Sequence, residues 1–246
     1  MNQNRIKNID IEKIKVCQNK KCVAIFYFQK NDSTVNQYIK SFTEHYHRLK
    51  SFFNVQPPKV NIHFIYNRKE MDKHWGSKSP RWLCGMVDNK SIYTVYIYSP
   101  LVFEKLTTHK KNEIIPTIVH ETAHTFVSKI NQKCFAWLNE GLCQYLETAK
   151  LKDKKIKRSD WWWFKNNQIV TNPKIKWSVV AEHSGYAISY NLAKFILEKY
   201  NKNILLQLIK IKRTGHPEKL HQSMNHILKQ DISDFINYFE EKYKLN

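Results

Sequence analysis

The chain has 246 residues, and its 41 lysines and arginines outnumber its 21 aspartates and glutamates, for a formal net charge of +20. A chain of this length can bury a sizeable core, and we expect one domain with two lobes. No apolar run is long enough to span a membrane, and the first residues lack the apolar core of a signal peptide. We therefore expect a cytoplasmic monomer without a transmembrane segment, while a removed upstream signal segment is left open.

The five cysteines are odd in number and form no C-x-x-C metal pattern, which favours free thiols in a reducing compartment. The positive charge raises the possibility of nucleic-acid binding, but the lysines are scattered along the whole chain. Their densest run, residues 150–158, is typical of a solvated loop between helices. We therefore expect no specific nucleic-acid partner. A basic surface would still attract acidic peptides, anionic lipids or cell-wall polymers in a salt-sensitive way.

In chain order, the pattern predicts an α+β fold. The polar residues 1–20 indicate a loosely held arm, and residues 21–246 a single domain with a sheet-containing lobe over about 21–130 and a helical lobe over about 131–246. The predicted strands cover residues 23–28, 60–66 and 92–98. The predicted helices cover residues 33–53, 69–75, 112–130, 137–145, 186–200, 204–211, 217–228 and 232–243, with Asp32 or Ser33 capping the first and Asp231 or Ser233 the last.

The segment His120-Glu121-Thr122-Ala123-His124 carries the pattern H-E-x-x-H within the helix predicted over residues 112–130. Histidines four residues apart lie on one face of a helix, so both imidazoles can reach one zinc ion. Glu121 lies beside them and can act as general base towards a metal-activated water. The competing interpretation is a pair of buried histidines with ordinary partners. A metal is the more economical partner for two neutral imidazoles and a carboxylate.

A second helical segment follows, with the sequence W-L-N-E-G-L-C-Q-Y over residues 137–145. Fifteen residues separate His124 from Glu140, which allows the first helix to end and the second to return antiparallel with Glu140 facing the histidines. A catalytic zinc takes three protein ligands and leaves a fourth position open. The predicted ligands of one Zn²⁺ are therefore His120, His124 and Glu140. The competing interpretation of Glu140 is a carboxylate near a helix N-terminus, which needs no metal.

Together the two motifs resemble the gluzincin branch of zinc metallopeptidases. The run from Trp137 to Tyr145 is similar to the W-L-N-E-G-F-A-x-Y signature of the aminopeptidase N group, although the gap between the motifs is shorter here. The pair in a compact chain looks more like the small bacterial peptidase MA-like domains, and the resemblance covers roughly residues 22–243. It implies a zincin-like fold, in which a small mixed-sheet lobe carries the H-E-x-x-H helix and an all-helical lobe follows. It also implies a peptide or protein substrate.

The resemblance further implies an oxyanion-stabilising phenol. Residues 185–190 are similar to the helix start that supplies this group in aminopeptidase N-like enzymes, and by that alignment Tyr186 is the donor. Tyr190 and His183 remain alternatives, and simple packing of both tyrosines competes with a catalytic role. Trp161, Trp162 and Trp163 are expected to pack the connection between the lobes beneath the lysine-rich loop, and a hydrophobic or carbohydrate-stacking surface is the alternative.

Two segments before the metal helix also matter for substrate binding. In gluzincins the strand preceding that helix is usually an edge strand beside the cleft, so residues 93–98 are expected to border the cleft, where an exposed edge can pair with an extended peptide. An ordinary interior strand is the competing interpretation. The segment Gly85-Met86-Val87-Asp88-Asn89 distantly resembles the G-x-M-E-N motif, in which the acid binds the free amine of the substrate. A glycine-initiated strand with an Asp-Asn turn is the favoured interpretation. Asp88 would otherwise confer exopeptidase specificity.

These expectations combine into zinc-dependent hydrolysis of peptide bonds, with endopeptidase and aminopeptidase activity both open. The first alternative is a catalytically silent peptide- or polymer-binding protein on a metallopeptidase scaffold. The second is a basic nucleic-acid-binding protein that contains the motif by chance. The sequence does not specify which peptide is cut.

Overall fold

The computed structural model of the chain describes residues 11–18, 20–56, 58–88, 91, 93–147, 152–172, 174–213 and 216–245. It has an α+β fold that combines one mixed sheet with many helices. The strands are β1 (Ile11–Gln18), β2 (Lys21–Gln29), β3 (Val60–Ile65), β4 (Gly85–Val87) and β5 (Thr94–Tyr98). The helices are α1 (Val35–Phe53), α2 (Arg68–Trp75), α3 (Phe103–Leu106), α4 (Ile114–Ile130), α5 (Ala136–Glu147), α6 (Arg158–Asn166), α7 (Trp177–Glu182), α8 (Gly185–Lys199), α9 (Lys202–Lys210), α10 (Pro217–Leu228) and α11 (Ile232–Tyr243).

The chain divides into two compact units, residues 1–48 with 56–125 and residues 49–55 with 126–246. The first unit contains the sheet, and in the described residues of the second unit all regular secondary structure is helical. The boundary between residues 125 and 126 falls inside the continuous helix α4, whereas the sequence pattern places the division between lobes at about residue 130. The combination of one mixed sheet with many helices is the predicted α+β class.

The sheet of the first unit has the strand order β1-β2-β3-β5-β4. Strands β2, β3 and β5 run parallel, and β1 and β4 are antiparallel strands on the two edges. Side chains alternate between the two faces of a strand. One face is fully buried through Phe26, Ile62 and Val95, which are successive partners across β2, β3 and β5. These β-branched and aromatic residues explain why the three central strands form where the pattern predicts them.

Two sequence-based expectations about the sheet fail. Residues 11–18, expected in a loose arm, form β1 and pair antiparallel with β2, while residues 1–10 lie outside the described part of the chain. Strand β5, expected at an edge, lies between β3 and β4. The three residues of β4 occupy the edge by pairing with Val95, Tyr96 and Ile97. Both errors concern short or polar strands, whose pairing depends on backbone hydrogen bonds that a hydrophobic pattern does not reveal.

A buried carboxylate connects the turn before α1 to the ends of two parallel strands. Asp32 is only 2% exposed, and its Oδ2 accepts hydrogen bonds from the Tyr66 hydroxyl at 2.8 Å and from Ser99 Oγ at 2.6 Å. Its Oδ1 accepts from the Thr34 amide at 3.1 Å, which satisfies one of the free amides at the start of the helix. Asp32 lies three residues before Val35, the first residue of α1, so it forms the turn that leads into the helix and also makes a tertiary contact. These bonds hold the β2–α1 connection against the ends of β3 and β5.

In the second unit, helices α5 and α8 pack at very short range. A Cβ atom added to Gly141 would lie 2.0 Å from the Ser189 carbonyl oxygen, so only glycine allows this approach. Helix α8 is almost entirely buried from Ile188 to Ile196. It is therefore the central helix of this unit.

The aromatic residues 161–164 and the lysine-rich residues 150–158 of the second unit have different environments. In α6, Trp161 and Phe164 are buried, whereas Trp162 is 68% exposed and Trp163 stacks on His183 with ring centroids 4.0 Å apart. The run thus packs only in part, contrary to the expectation for Trp162. Residues 152–157 have no regular structure, as predicted for the lysine-rich loop, and residues 150 and 151 lie outside the described part.

The remaining predictions of local structure are confirmed within a few residues. Helices α10 and α11 have the predicted bounds, and Asp231 caps α11 by accepting from the Ser233 amide at 2.7 Å. All five cysteines carry free thiols. Among the helices in the described ranges, none combines the length and the apolar character needed to cross a membrane.

Candidate metal centre

Helix α4 carries the H-E-x-x-H segment, and local interactions fix where it begins. A 3₁₀ turn over Lys111–Glu113 leads into it, and the Glu113 carboxylate accepts a hydrogen bond from the Lys110 amide at 2.8 Å. The hydrogen bond and charge of His109 help to hold the pKa of Glu113 below its ordinary value, although burial opposes this shift. Pro116 is the third residue of the helix, where its missing amide hydrogen breaks no intrahelical bond.

The apolar face of α4 explains the orientation of the histidines. Ile114, Ile118, Ala123 and Phe126 are buried at three- to five-residue spacing, which fixes the rotation of the helix about its axis. His120 and His124 are half-buried and keep part of their surface open to solvent. Glu121 is only 8% exposed. The pattern predicted from the sequence therefore produces two accessible imidazoles with a largely buried carboxylate beside them.

The predicted ligand atoms lie close together. The Nε2 atoms of His120 and His124 are 3.0 Å apart, and the rings meet edge to face. One ligand atom from each of His120, His124 and Glu140 lies within 4.8 Å of the other two. Helix α5 supplies Glu140, the fifth residue of that helix, as expected for a second helix that follows α4.

This donor set fits a zinc ion. Zinc at about 2.0–2.1 Å from each of two imidazole nitrogens in a tetrahedral site separates them by about 3.3 Å, close to the observed distance. Two imidazoles and one carboxylate form a known set of ligands for a hydrolytic zinc, and the set leaves a fourth position for water or substrate. Nitrogen and oxygen donors of this kind also suit other divalent transition metals.

Strand β4 lies directly against the candidate base. A Cβ atom added to Gly85 would lie 3.1 Å from Glu121 Cγ and 3.0 Å from Thr117 Cγ2. Thr117 is held in place because its Oγ1 donates to the Glu113 carbonyl at 2.8 Å. The edge strand thus leaves no room for a side chain beside Glu121. The sequence shows only that a short apolar strand begins with Gly85. The contact between Gly85 and Glu121 depends on the tertiary fold.

Asp88 follows β4 and is engaged within the sheet. Its amide donates to the Thr94 carbonyl at 2.8 Å, and its side chain hydrogen-bonds Tyr96. Burial, followed by the charge and hydrogen bond of Asp88, raises the pKa of the Tyr96 phenol. The glycine-initiated strand favoured by the sequence is therefore present, while Asn89 lies outside the described residues.

The three candidates for the oxyanion donor differ in environment. Tyr190 is fully buried, and among the described residues its hydroxyl has no hydrogen-bond partner. His183 stacks on Trp163, and its Nδ1 lies 4.0 Å from Asp160 Oδ1. Tyr186 is half-buried and meets the Trp177 ring edge to face, with centroids 5.1 Å apart. Tyr186 lies three residues before Ser189, on the face of α8 that packs against α5.

Lys154, which the sequence did not single out, contacts Gln144 of α5 and Tyr190 of α8. Lys154 donates to Gln144 Oε1, and its ammonium lies 4.7 Å from the centroid of the Tyr190 ring. The Asn191 side chain bonds both the amide and the carbonyl of Lys154, at 3.0 and 2.6 Å. Burial lowers the pKa of this lysine. Within a run of lysines, no sequence signal distinguishes the one that folds back onto α5 and α8.

Known proteins add no identification to this geometry. No protein-family model matches the chain. A search of the curated proteins likewise found no match. The assignment of a function therefore depends on the chemistry of the site.

Proposed function

We propose that this protein is a zinc-dependent peptidase of the gluzincin type, with His120, His124 and Glu140 as ligands of one Zn²⁺. The observation that carries the proposal is the convergence of these three donors. The carboxylate of Glu121 lies on α4, the helix that carries both histidines. Chance formation of an H-E-x-x-H pattern does not account for Glu140 as a third donor at ligand distance. The resemblance of the two motifs to gluzincins agrees with this assignment.

A bound zinc would supply Lewis acidity towards the scissile carbonyl and the attacking water. Glu121 would take a proton from that water and later return it to the leaving amine. Its burial and the contact with Gly85 restrict the motion of its side chain, which favours a fixed position for proton transfer. Tyr186 would donate its hydroxyl proton in a hydrogen bond to the developing oxyanion.

The decisive experiment is Glu121→Gln, tested with a peptide library and mass-spectrometric mapping of cleavage sites. We expect hydrolysis to fall by roughly 10²- to 10⁴-fold, because the general base is lost. Zinc content should remain at one per chain, and the thermal unfolding midpoint should change little. Glu218→Gln is the matched control, since the Glu218 side chain is 83% exposed on α10.

Three results would count against the proposal. Absence of stoichiometric zinc by elemental analysis would contradict the metal site. Equal hydrolysis by wild type and Glu121→Gln would assign the activity to another protein or another site. Bound zinc with no cleavage of any peptide would favour the alternative of a catalytically silent peptide- or polymer-binding protein.

A further inference from the structure

The first unit contains a second feature suited to ligand binding, a cleft of about 550 Å³ beside helix α2. Four cationic side chains line it, with one serine and two apolar residues between them. The lining consists of Arg68, Lys78, Ser79, Pro80, Arg81, Lys105 and Leu106. Its lining contains none of the three predicted metal ligands, so it is separate from the candidate metal centre.

Arg68 is fixed in this cleft. It begins α2, and its guanidinium donates through Nη1 to the Leu106 carbonyl at 2.7 Å and through Nη2 to the Ser79 carbonyl. These contacts use two of the five N–H groups of a guanidinium, so three donors remain for a ligand. The planar group is therefore oriented before any ligand arrives, which reduces the entropy that binding must overcome.

The carboxylate of Asp72, which bonds the lining residue Ser79, is occupied by the loop itself. Asp72 Oδ1 accepts from the Ser79 amide at 2.7 Å and from Ser79 Oγ at 2.5 Å. These two bonds, assisted by the charges of Arg68 and Lys78, hold the pKa of Asp72 below its ordinary value. Asp72 thus braces the loop and offsets only one of the four positive charges.

The other three cations lie at the surface of the cleft. Lys78, Arg81 and Lys105 are exposed, and Arg81 Nη2 donates to the Lys105 carbonyl at 3.4 Å. Like charges around one concavity raise the local potential and concentrate anions there. Such a potential is distinct from the diffuse positive charge of the whole chain, because the cleft has no acidic side chain in its lining.

We propose that this cleft binds an anion with at least two negative charges, carried on phosphate or carboxylate oxygens. Arg68 contacts the anion from the floor of the cleft, and Lys78, Arg81 and Lys105 neutralise it from the rim. Pro80 and Leu106 contact any short apolar part of the ligand. The site neither requires nor contributes to the proposed hydrolysis.

The test is calorimetric titration of the full chain at physiological ionic strength with pyrophosphate and, separately, with tricarballylate. We expect one anion per chain and a loss of affinity of roughly tenfold or more in K78A/R81A/K105A, the sum of several partly screened contacts. Arg68 is left intact because it braces two loops. The exposed positions of the three substitutions should leave the thermal unfolding midpoint unchanged.

The matched control is K40A/K50A/K59A, which removes three exposed lysines that do not line the cleft. Both variants keep His120, His124 and Glu140, so anion binding at that cluster cannot account for a difference between them. Binding of only one of the two anions supports the site and assigns its preference for phosphate or carboxylate. Equal weakening in both variants, or no saturable binding by wild type, overturns the proposal.

Discussion

Gly85 lies against the proposed base Glu121, Gly141 follows the proposed ligand Glu140 in the chain, and the two glycines differ in what surrounds them. Gly85 meets the side chains of Thr117 and Glu121 at 3.0–3.1 Å from a built Cβ, whereas Gly141, which follows Glu140, meets the Ser189 carbonyl oxygen at 2.0 Å. Side chains can shift by a few tenths of an ångström, but the backbone of a buried helix cannot. Gly141 therefore permits the fold of the second unit. Gly85 determines the space available to the proposed base.

The two glycines therefore allow stability and activity to be tested separately. A substitution at Gly141 acts on packing that the whole helical unit needs. A substitution at Gly85 acts on the position of one functional side chain. The packing at Gly141 and the position of Glu121 can be disturbed independently. The first change should lower stability, and the second should lower activity.

The largest effect is expected for Gly141→Ala. The added methyl group would overlap the α8 backbone, and overpacking of this kind costs about 3 kcal/mol or more where the surroundings cannot yield. Urea unfolding followed by circular dichroism should show a lower midpoint. Gly76→Ala is the control, because Gly76 has a φ of 87° but nothing within 4 Å of a built Cβ. It should lose about 1 kcal/mol from backbone strain alone, and a similar loss in both variants would refute the packing argument.

A smaller effect, on activity more than on stability, is expected for Gly85→Ala. The new methyl group would displace the Glu121 side chain by a few tenths of an ångström, and hydrolysis should fall by roughly tenfold with zinc content unchanged. The double variant Gly85→Ala with Thr117→Ser should recover part of that loss. Serine removes the Cγ2 contact while keeping the hydroxyl that bonds Glu113. Full activity of the single variant would show that β4 does not restrain the base.

The smallest effect concerns pH and the rings that contact Tyr96 on the sheet of the first unit. His63 lies between the rings of Tyr27 and Tyr96, and His74 stacks on Tyr96. Burial, and then the charge of His74, lower the pKa of His63. The folded state thus disfavours protonation, so stability is full above the ordinary pKa of about 6.5 and falls as pH decreases through the folded value.

His63→Phe should weaken that dependence while preserving the aromatic contacts of the sheet. The measurement is the free energy of unfolding between pH 7.5 and 5, compared with wild type. A histidine-to-glutamine change at His226, in the second unit, is a control for general effects of histidine removal. An unchanged slope in His63→Phe would assign the acid sensitivity to other groups.

Much of the fold follows from local patterns in the chain. The three parallel strands have runs of β-branched and aromatic residues, and the long helices have regular apolar spacing with caps such as Asp231. Strand β1 escaped prediction because charged residues interrupt its apolar ones, and most of its described side chains are exposed. The interior position of β5 escaped prediction because the three-residue strand β4 gives almost no periodic signal before it pairs.

The candidate site also has a part that local sequence predicts and a part that it does not. His120, Glu121 and His124 lie within one helical turn, so the backbone geometry alone relates them. The sequence by itself therefore determined the two histidine donors, the adjacent carboxylate and the type of helix that carries them. Only the tertiary structure decided that Glu140 lies at ligand distance, that Gly85 restricts Glu121, and that Arg68 and three surface cations share one cleft. Such contacts join residues far apart in the chain, and they form only when the buried faces of several elements pack together.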